Sequence, residues 1–445
     1  MEKFKKNPYL YEYKINKGDY IYVNSYSNKI LKVHKDERKY FERLLACPNN
    51  NEIYSLFSNG LLVPVDFDIE IENQKVFRDF YEKKEKLQLI LLPTEGCNFR
   101  CKYCYENHDS KKMTKETITS LVEFVREKLP NYKYLQVEWF GGEPLIEKNI
   151  VSQVTKELRS LCKEFKKPYF SSMTTNGYSL DREVFKTMFS NRVTNYQITL
   201  DGLASTHDKY RPFINGNGTF DVILNNLLNN LKRIRDEEKS QFINIIIRCN
   251  ITRPILDIFD EYVDLLEREF ARDSRFGFFW KIAWNPIPEI ESNEYCNAET
   301  LKKLLEKYQS RKILFTPIVE QFKKYGQVCY AGSPHSYVIR SNGVIAKCTV
   351  EFDDEVNNLG SLERHNETIL NSNLDFWTNH TLDSVCLKCY LFPSCLGIHC
   401  PKNNRDKNGN RVCPSSKEIN NIYFEYIANN KNLYMEISDL WKESR

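Results

Sequence analysis

Between about residues 86 and 290, short apolar runs alternate with longer stretches whose apolar residues recur every three or four positions. The runs LQLILLP, LQVEWF, PYFSSMTTNG, YQITLDG, FINIIIRCNIT and FGFFWKIAW have the length and the β-branched or aromatic content of strands. The first intervening stretch predicts a helix over about 114–129, with Ile118, Leu121, Val122, Val125 and Leu129 on one face. The second carries Ile150, Val151, Val154, Leu158, Leu161 and Phe165, and DREVFKTMF, 220–235 and 256–270 continue the series. Strands separated by helices predict β-α-β units and a parallel sheet. Six such units fall short of the eight of a closed barrel, so the expected core is α/β, an open and partial (β/α)6 barrel. In such sheets the site lies at the carboxyl ends of the strands. Cys97, Glu143, Asn176 and Asp201 each follow a predicted strand end.

The pattern changes on both sides. In residues 1–85, YLYEYKI and YIYVNSY read as strands around a KGD turn, KDERKYFERLLA and NNEIYSLFSNG as short helices, and LLVPVDFDI as a closing strand. VFRDFYEKKEKLQ reads as a linking helix, and the whole as a small winged-helix-like α+β unit. Residues 291–445 begin with helices at about 298–310 and 317–325, become loop-rich, and return to helix over 415–445 with Ile419, Ile422, Tyr423, Tyr426 and Ile427. Three domains, 1–85, 86–290 and 291–445, suit a chain of 445 residues.

Charge narrows the partners. Lys and Arg number 64 against 60 Asp and Glu, with no long basic block, so nucleic acid is not an expected partner. No apolar run approaches the roughly 20 residues of a membrane span, and the N-terminus has no apolar signal region. A cytoplasmic location is expected, where fourteen cysteines are not expected to pair as disulfides. Ten of them cluster: Cys97, Cys101 and Cys104, then Cys329, Cys348, Cys386, Cys389, Cys395, Cys400 and Cys413. Clustering in a reducing compartment points to metal.

The first set has C-x3-C-x2-C spacing, in CNFRCKYCYE. Three thiolates can hold a [4Fe–4S] cluster and leave one iron open for chemistry. An amino acid's amine and carboxylate would chelate that iron. The turn Gly141-Gly142-Glu143-Pro144 offers close backbone approach and a carboxylate for an ammonium. Arg211 can take a carboxylate, and Thr199 or Asp201 can bind hydroxyls.

C-x3-C-x2-C with Tyr103 before the last cysteine, then GGEP, then TLDG with HD-x2-R, resembles the radical S-adenosylmethionine superfamily over about residues 86–290. The resemblance implies a cluster on Cys97, Cys101 and Cys104 and S-adenosylmethionine on the open iron. It implies reductive cleavage to a 5′-deoxyadenosyl radical that abstracts a hydrogen atom from substrate. By the same resemblance the Tyr103 backbone meets adenine and Gly142–Glu143 meets the methionyl amine. Thr199 and Arg211 contact ribose and carboxylate; Thr199 stands where many relatives have Ser. A flavodoxin or ferredoxin would be the reductant.

The later seven, C-x13-G-x4-C, then C-x2-C-x5-C-x4-C, then Cys413, resemble the SPASM extension of that superfamily, which holds two auxiliary [4Fe–4S] clusters. One penultimate spacing is a residue longer than usual. The resemblance implies Cys386, Cys389, Cys395 and Cys413 on one cluster and Cys329, Cys348 and Cys400 on the other. His335, Cys296 or substrate itself could complete the latter. Structural zinc or simple electron transfer is the non-enzyme alternative, since C-x2-C pairs also bind zinc.

Proteins with this extension mostly modify peptides. The N-terminal unit is similar to the leader-binding element of ribosomal-peptide maturases, in which a leader adds as a strand to a sheet edge. That favours a maturase forming a thioether or side-chain carbon crosslink. The alternative is an anaerobic sulfatase-maturing enzyme, which usually carries Asp where Thr349 stands here. Glu351, Asp353 and Asp354 are candidates for the base.

Overall fold

The computed structural model describes residues 4–232, 243–283, 296–308, 311, 316–362, 372–404, 406, 412–413 and 417–442. Apolar and aromatic residues in the first 33 positions give four short strands, β1 (Phe4–Lys6), β2 (Leu10–Lys14), β3 (Tyr20–Asn24) and β4 (Lys29–Val33). β2, β3 and β4 form an antiparallel meander. Helices α1 (Arg38–Ala46) and α2 (Asn50–Ser58) pack on it through Phe41, Leu44, Leu45 and Leu56. α2 starts at a capping box, in which Asn49 and Glu52 each accept the other's backbone N–H.

The expected closing strand shortens to β5 (Leu62–Pro64), which pairs antiparallel with β1. Phe67 N–H turns back to the Pro64 carbonyl, and Asp68 then caps α3 (Ile69–Glu82). This cap starts the linking helix well before the expected position. β1 and β4 are absent from the sequence expectation: β1 has only three residues, and in β4 the apolar Ile30, Leu31 and Val33 are interspersed with lysines without a clean alternation.

All six expected barrel strands form: β6 (Lys86–Leu91), β7 (Tyr134–Trp139), β8 (Tyr169–Thr175), β9 (Val193–Thr199), β10 (Asn244–Ile251) and β11 (Phe276–Ile282). They are parallel, in sequence order, and the sheet stays open. The side chains of β7 divide cleanly. Leu135, Val137 and Trp139 are fully buried, whereas Gln136 and Glu138 lie on the other face. The expected 114–129 helix runs Lys115–Lys128, and that over 220–235 runs Phe220–Asn225 before a wider-wound segment to Lys232. Residues 233–235 lie outside the described residues, as does the expected boundary at 290/291.

The C-terminal region contributes to the same sheet, which its composition does not announce. β12 (Ser336–Ile339) adds parallel to β6, with Ser336 opposite Gln88 and Ile339 opposite Leu91. β13 (Val344–Ala346) and β14 (Gly360–Ser361) extend it antiparallel to nine strands. The helix expected over 298–310 is Ala298–Tyr308, and that over 317–325 is Thr316–Glu320. The last helix, Lys417–Ala428, buries Ile422, Tyr426 and Ile427. It is followed by β15 (Met435–Glu436), which pairs parallel with β4.

Candidate active site

The loop after β6 carries Cys97, Cys101 and Cys104, and a short backbone ladder fixes it. Arg100 N–H donates to the Pro212 carbonyl and Lys102 N–H to the Tyr210 carbonyl. Burial pushes the Cys97 thiol up to about 12, with the charges of Glu143, Cys101 and Cys104 adding to the rise. Cys104 is pushed up to about 12 in the same way, by burial first. Three thiols that feel one another and are costly to ionise alone fit a cation-rich cluster, which would take them as thiolates.

The glycine turn packs directly on that loop. A Cβ at Gly141 would sit 2.3 Å from the Thr94 carbonyl oxygen, and one at Gly142 would sit 2.4 Å from that of Gly96. Gly141 also has φ +110°, so no other residue is at ease there. The Glu143 carboxylate is fully buried and satisfied internally, accepting from Leu145 N–H, Thr175 Oγ1 and Asn176 N–H at 2.7–3.0 Å. What faces the cavity is therefore the Gly141–Gly142 backbone, and the Glu143 carboxylate braces the turn from behind.

Thr199 ends β9, and Arg211 ends the helix Ala204–Tyr210. Both line the cavity. The Tyr103 hydroxyl donates to the Asp201 carboxylate and accepts from Arg211 Nη1 at 2.8 Å and Asn250 Nδ2 at 3.2 Å. The Tyr103 side chain, and not only its backbone, thus belongs to the site. Asp201 also accepts from Asn250 N–H at 2.7 Å, while its own N–H donates to His207 Nδ1 at 3.1 Å.

One cavity of about 560 Å³ joins this corner to the C-terminal region. Cys97, Cys101, Cys104, Gly141, Gly142, Thr199 and Arg211 line one part of it; Cys329, Cys348, Cys400, Glu351 and Lys402 line another. The Cys329 thiol is pushed up to about 11 by burial and also by the charges of Cys400 and Cys348. Cys395 is pushed up to about 12 by burial and by Cys389, Cys413 and Cys386. Cys329, Cys348 and Cys400 thus share one neighbourhood, and Cys395 lies near Cys386, Cys389 and Cys413. All fourteen cysteines are free of disulfides. Among the described residues no three His, Cys, Asp or Glu side chains converge on the space of one ion.

Neither protein candidate for the missing ligand reaches that cavity. His335 is buried against Tyr132, with Nδ1 3.1 Å from its hydroxyl. Cys296 lies beside Arg253 and Thr300. Of the three candidate bases only Glu351 lines the cavity, and Lys402 Nζ donates to it and, at 2.8 Å, to Asp354. Asp353 instead accepts from Asn107 Nδ2 at 3.2 Å. The Lys402 ammonium holds the Asp354 carboxyl below the usual carboxylate range.

Glu106 escapes the sequence analysis. It lines the cavity, and burial, then repulsion from Glu95 and Glu143, pushes its carboxyl up to about 8. Among the described residues its Oε2 has no hydrogen-bond partner. It ends the CNFRCKYCYE stretch, but no spacing rule singles out an acid there. Arg248 and Lys281, on the open face of β10 and β11, are likewise cavity residues that no motif announces.

The Radical SAM superfamily profile matches residues 91–267. The cysteine-type anaerobic sulfatase-maturating enzyme of Clostridium novyi is 24% identical over 375 residues, 75% of this chain and 94% of that one. Alignments to three further curated relatives span only 31, 32 and 43% of those proteins' lengths. Among solved structures, anSMEcpe with bound AdoMet and Cp18Cys peptide superposes with a TM-score of 0.60 at 18% identity, covering 78% of this chain and 98% of that one. SuiB of Streptococcus suis gives 0.50 at 14% identity, covering 91 and 100%. These likenesses establish a shared fold. The cysteine loop, the glycine turn and the Thr199–Arg211 segment all fall within the matched residues, and the chain carries a domain of the Radical SAM superfamily.

Proposed function

We propose that this chain is a radical S-adenosylmethionine enzyme that matures a ribosomally made precursor peptide, joining a thiol or side-chain carbon to a carbon of the same peptide. The observation that carries the reading is the single cavity shared by Cys97, Cys101 and Cys104 with Cys329, Cys348 and Cys400. Bound to the first three thiolates, a [4Fe–4S] cluster would supply the electron that cleaves S-adenosylmethionine and so the radical that takes the substrate's hydrogen atom. The chain's own residues do the positioning. The Gly141–Gly142 backbone, packed on the cysteine loop, lines the part of the cavity where the methionyl group would sit, and the Tyr103–Asp201–Arg211 network braces the wall that Tyr103 and Arg211 form. Cys329, Cys348 and Cys400 would hold one auxiliary cluster with a corner toward substrate, and Cys386, Cys389, Cys395 and Cys413 a second, closed one. Residues 1–85 would bind the leader.

A sulfatase-maturing activity is the second reading, supported by the near full-length alignment to the Clostridium novyi enzyme. Thr349 speaks against it, since its hydroxyl is bonded to Tyr330 at 2.7 Å and cannot serve as a base. The test is anaerobic turnover of two peptides, one from a sulfatase and one short Cys-containing precursor encoded beside this chain. A crosslink removes two hydrogens and keeps sulfur. Conversion to formylglycine exchanges sulfur for oxygen. Sulfur loss from the sulfatase peptide with an untouched precursor would reverse the order of the two readings.

A further inference from the structure

Of the two edges of the N-terminal meander, β2 and β4, the β4 edge is occupied. β15 lies along β4 in parallel, Met435 opposite Leu31 and Glu436 opposite Lys32. The next turn sends Ile437 and Leu440 into the N-terminal core, where they are 4% and 1% exposed. Every other fully packed member of that cluster comes from residues 10–62, so the tail completes a core that the N-terminal unit leaves unfinished. Ser55 Oγ of α2 donates to the Leu440 carbonyl. Lys32 Nζ donates to the Ala428 carbonyl at 3.0 Å and sits 5.4 Å from the Tyr434 ring.

The hold is short: two residues of β4's five are paired. A longer extended segment could pair along all of Lys29–Val33 and still place two apolar residues where Ile437 and Leu440 sit. We propose that residues 434–441 are an internal mimic of the peptide that the N-terminal unit accepts, so that peptide and tail exclude each other. The pattern fitted there is an aromatic residue, an apolar one, an acid, then apolar residues spaced as Ile437 and Leu440. This rests on the peptide reading above for the identity of the competitor, and on the β4–β15 pairing for the rest.

The probe is a fluorescent synthetic peptide of residues 432–442, NLYMEISDLWK. It is titrated against the 445-residue chain, against Ile437→Ser/Leu440→Ser, which withdraws the apolar anchors, and against Met435→Pro, which breaks strand pairing and keeps both Ile437 and Leu440. A tethered tail competes at roughly millimolar effective concentration, so binding to wild type is expected to be weaker by roughly a hundredfold than to either variant. Amide exchange over Lys29–Val33 should speed up in both variants and slow again when the peptide is added. Unchanged exchange there in folded variants, or peptide binding that leaves it unaltered, would overturn the proposal. A chain that passes this test but modifies no precursor would count against the maturase reading and not against the mimic.

Discussion

The Tyr103 hydroxyl donates to the buried carboxylate of Asp201, which ties the cysteine loop to the end of β9. Arg211 and Asn250 both donate to the same hydroxyl, so one oxygen ties the cysteine loop to three residues from separate segments. Tyr103→Phe keeps the ring and removes that oxygen. It should destabilise the chain by about 1–3 kcal/mol, the cost of stranding buried polar groups. It should also weaken S-adenosylmethionine binding, because Arg211 loses its orientation. Urea unfolding and calorimetric titration check the two effects; unchanged affinity would show that the network is only structural.

His207 gives a pH signature that does not involve a cysteine. Burial, then the nearby Arg211, holds its imidazole well below the usual histidine range, so it stays neutral in the folded chain. The unfolded chain takes up a proton near the ordinary value of about 6.5. Stability from this group is therefore present above about pH 6.5 and lost as pH falls below it, at up to about 1.4 kcal/mol per unit. Asp201 and Glu143, whose pKa values burial raises, act in the opposite sense. The comparison is therefore wild type against His207→Gln, in which their contributions cancel. The variant should show a shallower loss of stability toward acid.

The glycine turn makes a steric prediction. Gly142→Ala places a methyl group against the Gly96 carbonyl, and the atoms opposing it are backbone, which cannot rotate away. The cost should be about 1–3 kcal/mol, and the cysteine loop should bear the displacement. Reconstituted Gly142→Ala protein is expected to show lower iron content on the first cysteine set, read by Mössbauer or electron paramagnetic resonance of the reduced protein.

The barrel was legible because its parallel strands, β6 buried on both faces and β7 on one, leave a local signature of apolar run, motif and helix. Cys97, Gly141 and Thr199 fall at or just beyond strand ends, Arg211 ends the helix that follows β9, and all four line one cavity. What was hidden depends on contacts far apart in sequence. β12 reads as a short apolar stretch until it meets β6, and β15 is two residues that become a strand only against β4. The Glu143 carboxylate invites an electrostatic role from its motif, but Thr175 and Asn176, some thirty residues on, consume it. Glu351 looks like an available base until Lys402 arrives from the far side of the cysteine-rich segment.

That ion pair separates two acids. If Glu351 is the base, Glu351→Gln should lower peptide modification by roughly 10²-fold or more, the usual contribution of a general base. If Glu106 serves instead, Glu351→Gln should leave turnover nearly unchanged while Glu106→Gln lowers it by roughly 10²-fold or more, the usual contribution of a general base. Reductive cleavage of S-adenosylmethionine without peptide, measured on the same preparations, separates loss of proton transfer from loss of the first cluster.

The division of the ten clustered cysteines can be counted directly. Three sets, Cys97 with Cys101 and Cys104, Cys329 with Cys348 and Cys400, and Cys386 with Cys389, Cys395 and Cys413, should load about twelve irons and as many sulfides in the wild-type chain. Alanine at all three cysteines of the first set should remove about a third of both, abolish cleavage of S-adenosylmethionine and leave the brown colour. Alanine at Cys329, Cys348 and Cys400 should remove a similar share yet preserve uncoupled cleavage, because the first set and the Gly141–Gly142 turn are untouched. Cys395→Ala should do more damage to folding than to chemistry: Cys395 is buried beside Phe392 and Leu396, which pack with Val76 of α3. A colourless wild-type chain carrying zinc in place of iron after anaerobic purification would discard the radical reading and restore the structural-metal one.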